Sequence, residues 1–154
     1  MKQRVYIDTS IVGGYFDEEF KDATIMLFER LERNETIFVV SDLLDLELIK
    51  APLYVKEHLL NYSADRFHRV ELTEEAILLA DQYISEKVVG KTSVEDCRHI
   101  ALATINKVDV LASWNFKHIV NLDRIKGYNS VNLRHGYSMI EIRSPKDLVK
   151  YGNE

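Results

Sequence analysis

The stretch Val5-Tyr6-Ile7-Asp8-Thr9-Ser10-Ile11-Val12-Gly13-Gly14 decides the fold. Val5–Ile7 reads as a short buried strand, Asp8 ends it, and hydroxyl residues lead into a glycine-containing turn. A carboxylate at the end of such a strand is where an α/β protein places its chemistry. Outward from it the pattern alternates. Glu18–Arg33 predicts a helix with Ile25, Leu27, Phe28 and Leu31 on its apolar face, and Thr36–Val40 a buried strand of the parallel type. Ser41 or Asp42 caps a helix to about Lys50, Pro52 stops it, and a further helix covers Leu53–Ser63. Strand Arg69–Leu72, a helix from Thr73 to Lys87, a helix from Ser93 to Asn106 and strand Val108–Ala112 follow. Residues 115–134 read as mixed short turns, and Met139–Arg143 as a last strand. Strands alternating with helices mean right-handed crossovers, a parallel sheet and helices on both faces.

At 154 residues, without repeats, linkers or low-complexity stretches, the chain is expected to be one domain, 1–154. Cys97 is the single cysteine, which rules out an intrachain disulfide and fits a reducing cytosol. No apolar run has the length of a membrane span, and Met1-Lys2-Gln3-Arg4 runs straight into a strand, so a cytoplasmic protein without membrane contact is expected. The net charge of −5 is uneven: residues 1–114 hold 13 Lys/Arg against 21 Asp/Glu, and residues 115–154 hold 7 against 4. A basic C-terminal segment is compatible with phosphate contacts, because these need a local positive surface.

The crossover rule brings four positions to one sheet edge. Asp8 follows the first strand, Glu47 lies in the helix after the second, Asp96 opens the helix leading to Val108–Ala112, and Asn115 lies just past that strand. Each has a structural alternative. An isolated Asp8 would bond the backbone two residues on, but the end of a central strand is a crevice. Glu47 sits among Leu43, Leu44, Leu46 and Leu48, and a buried carboxylate needs a cation or metal as partner. Asp96 stands where Ser93 would form a capping box, although Thr92 and Glu95 offer the same arrangement one residue earlier. Asn115 is either a turn former or, through its amide, a ligand to Mg²⁺ or to one of its waters. Thr9, Ser10 and Ser113 are hydroxyl donors beside the acids, and His99 and His118 are within reach of the edge. Lys117, His118, Arg124, Lys126 and Arg134 are candidate phosphate contacts. Trp114 and Tyr128 are base-stacking or core aromatics. Cys97 has no evident base and reads as a structural thiol, no His/Cys spacing suits zinc, and Gly13-Gly14 lacks the rest of a phosphate loop.

Asp8-Thr9-Ser10, Ser41 with Glu47, Asp96 with His99-Ile100-Ala101-Leu102-Ala103, and Ser113-Trp114-Asn115-Phe116 occur in that order over nearly the whole chain. This set resembles the PIN-domain family, which includes the VapC-type toxin ribonucleases. The resemblance implies a three-layer α/β fold with a five-stranded parallel sheet in order 3-2-1-4-5. It implies Mg²⁺- or Mn²⁺-dependent cleavage of single-stranded RNA, with Asp8 and Asp96 on the metal and Glu47 on the metal or its waters. It also implies a homodimer and an antitoxin partner. The segment 53–67, with Tyr54, Leu59, Leu60 and Tyr62, either supplies the dimer surface or closes the monomer's own core. The chain departs from the family where Asn115 stands for a fourth Asp, as in one branch with the run Trp-Asn-Phe-Lys-His-Ile-Val-Asn. The rival within the fold is a module without catalysis that binds RNA or protein. A haloacid-dehalogenase-type phosphatase is excluded, because it needs a second Asp where Ser10 stands.

Overall fold

The computed structural model describes residues 2–152, with side chains to residue 149. In chain order the elements are β1 (Gln3–Ile7), α1 (Thr9–Gly14), α2 (Lys21–Glu32), β2 (Thr36–Ser41), α3 (Asp42–Leu48), α4 (Leu53–Lys56) and β3 (Phe67–Val70). They continue with α5 (Glu74–Ser85), α6 (Val94–Ile105), β4 (Val110–Ala112), α7 (Leu122–Arg134), β5 (Ile142–Arg143) and α8 (Pro145–Gly152). The five strands form one sheet in order β3-β2-β1-β4-β5, and every pairing is parallel. β1 is therefore central, with Ile7 opposite Ala112 at its carboxyl end.

Alternation along each strand divides the core into two layers. Val5, Ile7, Phe38, Val40, Val110 and Ala112 pack with α1, α2 and α3 on one face. Tyr6, Val39 and Leu111 pack with α5, α6 and α7 on the other. No helix among the described residues is long and apolar enough to cross a membrane.

Several elements differ from the sequence expectation, each for a local reason. The helix predicted over 53–63 ends at Lys56 and resumes as a 3₁₀ turn, His58–Asn61. The break tucks the His58 ring 4.0 Å from Tyr15 and within hydrogen-bond reach of the Tyr62 hydroxyl, at 3.1 Å. β3 lies two residues earlier than expected, because Asp42 Oδ1 accepts the Leu72 N–H and draws that residue out of the ladder. β4 starts at Val110, since Lys107 takes φ 51° and the Val108 N–H closes the end of α6 on Ala103. β5 is short because both backbone groups of Ile140 are bonded by the Asn129 side chain. Residues 122–134 are one continuous helix rather than mixed turns. Its buried face carries Asn129 and Asn132, whose amides are satisfied internally, so polar residues mask its apolar period.

α1 and α8 had no counterpart in the sequence reading. In α1 two glycines looked like a turn. A Cβ on Gly14 would lie 2.7 Å from Trp114 Nε1, so the glycine there permits close packing of the helix.

Candidate functional site

The ends of β1 and β4 are laced together by hydroxyls around Asp8. Ser10 Oγ donates to Asp8 Oδ1 at 2.5 Å, and Ser113 Oγ donates to Oδ2 at 2.6 Å. Ser10 Oγ accepts the Trp114 N–H at 2.9 Å, and Ser113 Oγ accepts the Asn115 N–H at 3.0 Å. Asp8 thus bonds side chains rather than the backbone two residues on, and it is 5% exposed. Burial pushes its carboxyl above the ordinary range. The His99 charge and the two hydroxyls oppose that rise, and the Asp96 charge adds to it.

Glu47 rises from α3, whose first turn is capped by Ser41 Oγ on the Leu44 N–H. Its Oε1 takes two bonds, from Thr9 Oγ1 at 2.7 Å and from His99 Nε2 at 2.5 Å. A carboxylate only accepts, so Nε2 carries the proton between them. His99 is buried, and its Nδ1 lies 2.6 Å from the Tyr6 hydroxyl, which donates to Ser41 Oγ at 3.0 Å. An unbroken chain therefore runs Thr9–Glu47–His99–Tyr6–Ser41 and returns to the helix that carries Glu47. Burial raises the Glu47 carboxyl, but the His99 bond and charge, with Thr9 and Glu95, outweigh it and leave it below its usual value.

Asp96 stands in the first turn of α6, and no capping box holds it: Ser93 makes no side-chain cap, and its buried hydroxyl has no partner. Burial raises the Asp96 carboxyl. The His118 and His99 charges and a bond to Asn115 oppose this, and the Glu47 charge reinforces it. Asn115 Oδ1 accepts the His118 N–H at 3.0 Å, and its backbone carbonyl accepts from Ile119 and Val120. The amide oxygen is thus the turn former, and the amide nitrogen is the group offered to Asp96.

The remaining candidates separate clearly. Arg124 donates to the Val88 carbonyl, and Arg134 pairs with Glu86 at 2.5 Å. Lys117 and Lys126 are exposed, and His118 Nδ1 is buried without a partner. Tyr128 is buried and bonded to the His118 carbonyl, so it is a core aromatic. Burial pushes the Cys97 thiol up to about 12, which suits a structural role.

The part that three residues play at the site escaped the sequence reading. Glu95 lies beside Glu47, whereas the sequence offered it only as the partner of Thr92 in a capping box. Ser41 appeared there as a cap and as part of the motif set, without its bond to Tyr6. Tyr6 is a single hydroxyl in an apolar strand, and the need of a buried Tyr for a partner was the available signal.

Among the described residues, no group of three or more His, Cys, Asp or Glu side chains is arranged to hold a metal ion. In kind, however, the set fits a hard divalent cation: three carboxylates, two of them raised by burial and by a neighbouring carboxylate, with no Lys or Arg among the described residues paired to any.

Comparison with solved structures decides the fold. VapBC2 from Rickettsia felis, bound to a DNA fragment from their promoter, aligns at TM-score 0.57 and 13% identity over 92% of this chain and 98% of that one. FitAcB from Neisseria gonorrhoeae aligns at 0.59 and 12%, over 92% and 98%. This chain has the PIN-domain fold. A toxin–antitoxin complex from Klebsiella pneumoniae also aligns with this PIN fold, at 0.53 and 17% identity over 73% of this chain and 88% of that one. No protein-family model and no curated protein matches the sequence.

Proposed function

We propose that the chain is a divalent-metal-dependent endoribonuclease that hydrolyses phosphodiester bonds of single-stranded RNA. In this reading it acts in the cytoplasm as the toxin of a toxin–antitoxin pair. One observation carries the reading: Asp8, Glu47 and Asp96 come to one sheet edge, where Thr9, next to Asp8, and His99, one turn on from Asp96, both bond Glu47, and none of the three acids is paired with Lys or Arg among the described residues. Asp8, Asp96 and Glu47 would hold Mg²⁺ or Mn²⁺, which supplies Lewis acidity toward a phosphoryl oxygen and toward water.

The chain's own part is positioning. Ser10 and Ser113 fix both oxygens of Asp8, Thr9 and His99 fix Glu47, and the Asn115 amide braces Asp96. Lys117 and Lys126 offer exposed charge for backbone phosphates. The likeness to VapBC2 and to the Klebsiella complex supports an antitoxin partner. Leu46, Ile49, Leu53, Tyr54 and Leu60 are mostly exposed, an apolar patch suited to that partner or to a second copy of the chain.

A second reading, an RNA-binding or interaction module without catalysis, is favoured by Asn115, whose oxygen is spent on the His118 N–H. Cleavage of single-stranded RNA with Mn²⁺ and with EDTA, for wild type and Asp8→Asn, separates the two. The nuclease reading expects cleavage only by wild type with metal. Cleavage by neither protein under either condition would favour the module.

A further inference from the structure

Beside the carboxylates, the segment after β4 builds a second feature that the metal chemistry does not use. Trp114 is locked in place: its N–H reaches Ser10, its indole Nε1 donates to Thr24 Oγ1 at 2.9 Å, and Phe20 stacks on it at 4.3 Å and 20°. Phe116 stands 6.0 Å from Trp114 and 6.3 Å from Phe20, yet it is 48% exposed. Together these rings line a cleft of about 410 Å³, with Glu19, Asp22 and Lys146 on its rim.

An aromatic face held by stacked rings behind it costs little entropy to use, and flat π-systems stack on such faces. The rim chemistry narrows the occupant. Carboxylates only accept hydrogen bonds, so Glu19 and Asp22 repel a phosphate but can accept from the amino and imino groups of a base edge. Lys146, the one cation among the described residues that line the cleft, is the place for backbone charge. The cleft is tied to the carboxylate edge through the chain itself, since the Trp114 N–H is held by Ser10, and Ser10 and Ser113, the residue before Trp114, both bond Asp8.

Resting on the ribonuclease reading, we propose that Phe116 is the exposed platform of a nucleobase subsite. An unpaired base of the RNA strand stacks on its ring while the neighbouring phosphate lies at the carboxylates. Trp114 stiffens the platform from behind and reports on it, being the only tryptophan in the chain.

The test uses the full chain and a fluorescein-labelled single-stranded RNA, in EDTA so that nothing is cleaved. Binding is followed by anisotropy, and Trp114 emission is followed with unlabelled RNA. The subsite expects RNA to change the Trp114 emission, and Phe116→Ala to weaken binding roughly fivefold to a hundredfold with an unchanged melting temperature. It expects Phe116→Tyr to bind like wild type, and an RNA of abasic nucleotides to lose the preference for Phe116 over Ala. Wild-type affinity of Phe116→Ala would overturn the subsite and leave the nuclease reading standing. Binding without any change in Trp114 emission would likewise overturn it. Absence of binding to any RNA, both in EDTA and with Ca²⁺ supplied in place of Mn²⁺, would overturn both.

Discussion

His99 ties Glu47 to the core, and a double-mutant cycle measures that tie. His99→Phe removes the 2.5 Å bond to Oε1 and leaves Thr9 as the remaining donor to Glu47. A hydrogen bond to a charged group contributes about 1.5–3 kcal/mol, and the partial exposure of Glu47 places this one toward the lower half of that range. The Tyr6 hydroxyl keeps Ser41 as acceptor, so removal of the imidazole orphans no further polar group. We expect a coupling energy of about 1.5–2 kcal/mol between His99→Phe and Glu47→Gln, obtained from urea unfolding of wild type, both single variants and the double variant at pH 7. The single His99→Phe should lower the melting temperature by about 3–8 °C for a chain of this size. A coupling below about 0.5 kcal/mol would refute the bond as a determinant of Glu47's position.

Asp8→Asn should abolish metal-dependent cleavage while raising stability at neutral pH. The folded carboxyl is held above its ordinary value, so its favourable contribution is complete below the unfolded value and is lost as pH rises through the folded value. Thermal melts from pH 3 to 8 should show the variant's advantage growing with pH, and a constant difference would sink this account. Asn115→Asp sets a carboxylate against Asp96 while an oxygen still accepts from His118. The melting temperature should fall in EDTA, and Mn²⁺ affinity by calorimetry should rise; unchanged affinity would remove Asn115 from the site. Gly14→Ala forces a methyl to 2.7 Å from Trp114 Nε1 and should cost about 1–3 kcal/mol in denaturant unfolding, with loss of the Trp114–Thr24 bond.

Much of the architecture was legible because short apolar strands and amphipathic helices alternate, and because crossover handedness maps sequence order onto one sheet edge. The strand order followed from the resemblance rather than from any periodicity. α7 was obscured by Asn129 and Asn132, which are polar by type and buried by virtue of their partners. At the site, residue types marked Asp8 and Glu47, but type could not reveal which way Asn115 turns its amide. That depends on the His118 N–H three residues on, a matter of loop geometry. Nor could spacing reveal that His99 bridges Glu47 and Tyr6, since the three come from different elements.

The Ser113–Asp8 bond joins residues 105 positions apart in the chain. While the chain is being synthesised, Asp8 emerges early and must wait for β4 before its second oxygen is held. A ribosome that has not yet delivered residue 113 carries the acids of the site but not their frame. Whatever chemistry this edge performs is therefore withheld until most of the molecule exists, and a prematurely terminated product lacks it altogether.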